Sequence, residues 1–251
     1  MTLPPLLDYL YYACLGLTLV AGFLAWFAKG NWWRVAGWLV LALAVVQVVL
    51  ATAVLVRPPL VGGYESAAMF ALWLCLLAVI PCGNRQAQQR LSALCWFACF
   101  VVMVLVFLLV NRIFTPNWYM YQHIWTQLFF TLRLAGVSVF LYAALAALAS
   151  LGAAPDARTT LLRWSRNFLL LGTAVFLAGE FSGFTWRMQW MGDYWCWNAN
   201  FLESTLYFLL VTAAVHLPPA WAAKPRMRAA ALALPGLLMI GMYLNFLLRE
   251  A

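Results

Sequence analysis

The stretch LVLALAVVQVVLATAVLV, residues 39–56, decides the fold class, because only Gln47 and Thr52 interrupt its apolar character. A run of about 18 or more apolar residues is long enough to cross the hydrocarbon core of a bilayer as a helix. A transmembrane β-barrel would instead show segments of about ten residues with alternating polarity. Outward from this run the rest of the chain keeps the same character: 67% of its 251 residues are hydrophobic and 9% are charged, against about 25% charged in soluble domains. A soluble fold cannot cover so much apolar surface. A bilayer can, and in lipid a helix satisfies its own backbone.

Read in this way, the sequence predicts an all-α, polytopic membrane helix bundle forming one integral membrane domain. Spans are expected near 7–28, 35–56, 66–81, 91–111, 123–149, 167–186, 201–217 and 229–248, with Pro or Gly marking several of the short loops between them. No basic region with a small-residue cleavage site precedes the first run, so that run is expected to be retained. Eight spans place the loops alternately on two sides. The loops at 29–34, 85–90, 158–166 and 224–228 carry ten basic residues, and the opposite side carries four: Arg57, Arg112, Arg187 and Arg249. The richer side is expected in the cytoplasm, so both termini and the loops at 57–65, 112–122 and 187–200 should face outward. The net charge of +8 then reflects basic loops and not nucleic-acid binding. The six cysteines form no CxxC or CxxCH pairing, so the chain is neither a c-type cytochrome nor a thioredoxin-like redox protein. Five of them lie in or beside apolar runs, as packing residues would.

The outward loops are rich in aromatic residues. From Phe184 to Trp197, six of fourteen residues are aromatic, and Trp118, Tyr119, Tyr121 and Trp125 surround His123. An interfacial belt is one explanation. A platform for a flat hydrophobic ligand is the other, since Trp195-Cys196-Trp197 lies close to Gly192, where backbone can approach closely.

The segment Met191-Gly192-Asp193-Tyr194-Trp195-Cys196-Trp197-Asn198 resembles the tryptophan-rich "WWD" signature of CcsA, ResC and CcmC proteins. Asn198 and His216 are 18 residues apart, and CcsA-type members have a histidine at this distance after the signature. Gly62-Gly63-Tyr64-Glu65-Ser66 resembles the N-x-Y-E-S motif of that branch, and Arg163-Trp164-Ser165-Arg166 resembles its L-S-Y-R segment. His123 sits where the family has its first external histidine. The resemblance covers residues 57 to about 245. It implies a haem-handling protein of cytochrome c assembly in the bacterial cytoplasmic membrane. Its partners would be a ResB/CcsB-like membrane protein and a c-type cytochrome, or other redox subunits. The implied contacts to b-type haem are Tyr64, Glu65, His123, Arg133, Trp190, Gly192, Tyr194, Trp195, Trp197, Asn198 and His216, with His123 and His216 toward the iron. The chain diverges from the pattern at Asn198, which replaces Asp, at Met191, which replaces Trp, and at Ala199-Asn200-Phe201, where Pro-Lys-Glu is usual; no histidine follows His216.

His123 and His216 are the only histidines. One opens the fifth span and the other lies near the inner end of the seventh, which puts them roughly 20 Å apart in depth at 1.5 Å per residue. They cannot be opposite ligands of one iron. Each is either a ligand completed by another group, such as Met, water or a partner's residue, or an interfacial side chain. Arg133 and Glu180 lie inside spans, where charge is costly. Their depths allow an ion pair, and the alternative for Arg133 is a haem propionate. Glu65 and Glu203 lie near the outer face, and Asp193 is solvated. No hydrolytic or redox active-site motif is present, so any enzymatic role would be as part of a holocytochrome c synthase. The competing function is a non-catalytic membrane subunit of a larger redox complex. A transporter is disfavoured, because no pair of broken helices occupies matching halves.

Overall fold

The computed structural model describes residues 5–27, 30–110, 115, 119–192 and 199–249. Among them the secondary structure is helical throughout: α1 (Pro5–Phe27), α2 (Trp32–Leu55), α3 (Gly63–Val79), α4 (Arg85–Leu109), α5 (Ile124–Ser150), α6 (Pro155–Met191), α7 (Ala199–Val215), a single turn α8 (Pro219–Ala222) and α9 (Pro225–Arg249), with a 3-10 turn at Tyr119–Gln122 before α5. Six helices, α1, α2, α4, α5, α6 and α9, are long and apolar enough to cross a membrane; α3 and α7 are shorter apolar helices. Each apolar run in the sequence corresponds to one helix.

Local chemistry sets the boundaries. Val56, in the left-handed region, and then Arg57-Pro58-Pro59 end α2. Asn84 caps α4 through its side-chain oxygen, which accepts from the Ala87 N–H at 3.0 Å. Pro155 occupies the first turn of α6 with Asp156 beside it, both favourable at a helix start. Helix α6 has 37 residues, about 55 Å at 1.5 Å per residue. The expected span at 167–186 is therefore only its middle, and Arg163-Trp164-Ser165-Arg166 lies within the helix rather than ahead of it. Hydropathy marks where a helix meets lipid, not where its backbone hydrogen bonds stop.

Two compact units emerge from the packing, one of residues 1–119 with 241–251 and the other of residues 120–240. In the first, α1 packs on α2 and α4, and α3 packs on the same two helices. Helix α1 buries Leu7, Tyr11, Cys14, Thr18, Ala21 and Ala25, the three-and-four spacing of a packed helix face. On α2 the buried stripe includes Ala36, Gly37, Ala44 and Ala51, while Val35, Trp38, Leu39 and Val49 are exposed. Small residues in the buried stripe let neighbouring helices approach closely. The Tyr11 hydroxyl donates to the Met103 carbonyl at 2.5 Å, and the Tyr243 hydroxyl donates to Ser66 Oγ at 3.0 Å. Cys14, Cys75, Cys82, Cys95 and Cys99 are buried free thiols, and burial pushes the Cys82 thiol, in the α3–α4 loop, up.

In the second unit α5 and α6 form an antiparallel hairpin. Gly172 lies against Val139 and Phe140, Gly179 against Leu132 and Arg133, and Gly183 against Phe129. These glycines let the two backbones approach closely. Tyr142 and Trp164 both pack on Phe168, and Tyr207 brings α7 onto α6 at Phe176.

Candidate functional site

Helix α6 ends at Gly192, whose φ of 59° is left-handed and free of Cβ strain. A Cβ there would meet nothing within 4 Å, so the glycine serves the turn rather than a tight contact. Asp193, Tyr194, Trp195, Trp197 and Asn198 lie outside the described residues, as do Trp118 and the side chains of Trp190 and Glu203. Their frame is nevertheless defined. Helix α7 takes up at Ala199 and runs 17 residues to Val215, about 25 Å. His216 follows immediately, its N–H donating to the Thr212 carbonyl at 3.0 Å, and its side chain is exposed. Asn198 and His216 therefore flank the two ends of a single helix.

His123 occupies the N-cap position of α5, with no capping bond from its side chain. Its carbonyl accepts from the Gln127 N–H at 3.1 Å, and Gln127 Nε2 donates to the Tyr121 carbonyl at 3.2 Å. This ties the preceding turn to the helix and leaves the imidazole half-buried. Arg133 and Glu180 face each other across the α5–α6 seam, with Arg133 Nε 3.9 Å from Glu180 Oε1 and the guanidinium carbon 5.3 Å from the Phe129 ring centroid. The two side chains remain 34% and 30% exposed.

Tyr64 and Glu65 belong to the first unit, at the start of α3. Both are buried, and the Tyr64 ring lies 5.2 Å from that of Tyr11. Glu65 accepts from Arg57 Nη1 at 2.7 Å, from Arg57 Nη2 at 3.2 Å and from the Thr115 N–H at 2.7 Å. Arg57 also donates to the Pro58 carbonyl at 3.1 Å and the Thr115 carbonyl at 3.0 Å. These contacts clamp the α2–α3 loop to the segment after α4. Arg57 figures in the sequence reading only as a loop charge. The available signal was its place at a helix end before Pro58-Pro59, with an acid at the next helix start.

As donors, the described residues offer one imidazole beyond each of two separate helix ends and a guanidinium within the α5–α6 seam. Among them no group of three or more His, Cys, Asp or Glu could hold a metal ion. A haem in contact with this chain would therefore take at most one axial imidazole at each level and need its opposite ligand from another group. No protein-family model matches the sequence, and no curated protein matches it at a significant level.

Proposed function

We propose that this chain is a CcsA-like haem-handling subunit of the bacterial cytoplasmic membrane, with eight spans and both termini outside. In this reading it presents haem, as cargo for cytochrome c assembly, beside the segment Trp190–Asn198, and it works with a ResB/CcsB-like partner and an apocytochrome. The observation that carries the proposal is α7: it begins at Ala199, directly after the tryptophan-rich segment in the sequence, and ends at Val215, directly before His216. That helix would link a platform at the outer face to an imidazole near the inner one. Tyr194, Trp195 and Trp197 supply flat apolar surface for the macrocycle, and Arg133 lies about 15 Å below the outer end of α5, at 1.5 Å per residue, where a propionate could meet it.

The test is haem content per folded protein, read from the visible spectrum of the chain purified with its partners. Replacing Trp195 and Trp197 together with Ala should lower haem content several-fold while membrane insertion stays intact. Equal occupancy in variant and parent would return these residues to an interfacial belt. Asn198 in place of Asp and the lack of any histidine after His216 favour a second reading, a non-catalytic subunit of a redox complex. Copurification with a stable electron-transfer assembly, and not with a ResB-like partner, would select it.

A further inference from the structure

The first unit contains a cavity of about 220 Å3 between α2, the end of α3 and the start of α4. Its wall includes Trp33, Arg34, Gly37 and Trp38 from α2, and Gln88 and Trp96 from α4. Trp33 and Trp96 are 2% and 1% exposed, yet neither indole N–H has an acceptor among the described residues. A buried donor left unsatisfied is destabilising, so two in residues of one wall need an explanation. A Cβ on Gly37 would lie 3.0 Å from Trp96 Cζ2 and 3.7 Å from Cε2, the carbon bonded to the indole nitrogen. The N–H edge of Trp96 thus abuts the glycine that opens the wall. The Gln88 amide nitrogen is engaged elsewhere, donating to the Ile80 carbonyl at 3.1 Å.

The charge of the site has one sign. The Arg34 guanidinium is exposed, with its central carbon 5.2 Å from the Trp33 ring centroid, and among the described residues no carboxylate lines the cavity. Trp38 forms the lip, and beyond it the outer face of α2 carries exposed Val35 and Leu39. The ligand that fits must carry bare oxygen acceptors and negative charge at one end and an apolar chain at the other. The cavity is walled by the starts of α2 and α4, next in sequence to the loops at 29–34 and 85–90, whose side the basic asymmetry assigns to the cytoplasmic leaflet, where anionic lipids concentrate.

We propose that this cavity is a headgroup site for an anionic phospholipid. Arg34 takes the phosphate bidentately, the two indole N–H groups reach ester or glycerol oxygens after small ring rotations, and an acyl chain follows the outer face of α2. Such a site needs no haem; it rests on the proposed orientation, which puts the start of α2 on the cytoplasmic side.

Native mass spectrometry of the delipidated protein in detergent, titrated with phosphatidylglycerol or phosphatidylcholine, tests it. Phosphatidylglycerol should bind about tenfold more tightly, a difference of about 1.4 kcal/mol. Arg34→Gln should abolish that preference, and because Arg34 is exposed the variant should fold. Trp33→Phe, which keeps a ring and removes the N–H, should weaken phosphatidylglycerol severalfold. Unchanged preference in Arg34→Gln would overturn the proposal, as would an equal loss in Arg226→Gln, which would assign the preference to net charge. Displacement of the lipid by millimolar inorganic phosphate would assign the site to a soluble phosphate and overturn its assignment to lipid.

Discussion

Replacing Glu65 with Ala should destabilise the protein by more than any surface change, and the structure gives the size. The substitution removes a carboxylate that accepts three hydrogen bonds, two from Arg57 and one from the Thr115 N–H. It leaves the Arg57 side chain, 1% exposed, without its counter-charge. Breaking one member of a buried ion pair costs about 3–5 kcal/mol. At roughly 2–4 °C per kcal/mol for a chain of this size, the melting temperature should fall by roughly 6–20 °C. Tryptophan fluorescence during a thermal ramp in detergent, with size-exclusion recovery as a second probe, would measure it. Glu65→Gln should fall between Ala and the parent, because the amide keeps an oxygen for the Thr115 N–H but not the charge. Replacing both partners, Arg57→Met with Glu65→Leu, should recover most of the loss, since no buried charge is then left unpaired. A Glu65→Ala protein that melts within about 2 °C of the parent would refute the reasoning, as would a double variant no better than the single. If the clamp is all that Glu65 contributes, haem content in these variants should track the folded fraction. Haem loss from a Glu65→Gln protein of parental stability would instead make the carboxylate a haem contact.

Three further predictions follow from the proposed topology and site. Reporter fusions at Ala157 and Trp221 should read cytoplasmic and one at Ala251 external; a cytoplasmic C-terminal fusion would remove a span from the count. His216→Ala should abolish the b-type absorbance that depends on a partner while sparing haem at the outer loop, and His123→Ala should do the reverse; identical spectra in both variants and the parent would exclude both imidazoles as ligands. Arg133→Lys, which keeps the charge and loses the planar fork, should lower haem retention about tenfold at unchanged expression, and retention equal to the parent would leave the Arg133–Glu180 pair a purely structural feature.

The helices were legible in the sequence because lipid imposes a length and a composition that no other environment does. The stretch 39–56 becomes most of α2, and its two polar residues take different roles: Gln47 is buried, while the Thr52 hydroxyl donates to the Val48 carbonyl at 2.7 Å, within the helix. The amino-terminal third of α6 was not legible. Arg158, Arg163 and Arg166 end the hydropathy signal, yet Ala157, Leu161, Ser165 and Leu169 continue the buried stripe at a spacing of four through them. That spacing, with Pro155 ahead of it, was the signal to use. Contacts between distant segments were beyond reach in principle. Nothing in the periodicity of α2 or α3 brings Arg57 to Glu65 across a loop with two prolines, and nothing pairs Trp33 with Trp96. Such neighbours are decided by how helices pack, and the sequence states only that they do.

The Arg133–Glu180 pair shows where packing and function meet. At 3.9 Å the contact is an ion pair but not a hydrogen bond, and among the described residues the buried Glu180 Oε1 has no donor. A pair whose purpose is stability would close that gap, since a charge held away from water needs good geometry and its remaining lone pairs satisfied. This one does neither, and about a third of each side chain stays uncovered. At the centre of a lipid-facing helix an arginine alone costs about 2.5–3.5 kcal/mol, so acyl chains are a poor match for that surface. A polar group, such as water, a partner's side chain or a bound carboxylate, would match it better. It is Nε that approaches Glu180, which leaves the two terminal nitrogens, the fork that binds carboxylates bidentately, for a second acid. A haem propionate has that chemistry. On the haem-handling reading, then, the incomplete ion pair is a site held open by Glu180, which orients the guanidinium without using up its donors.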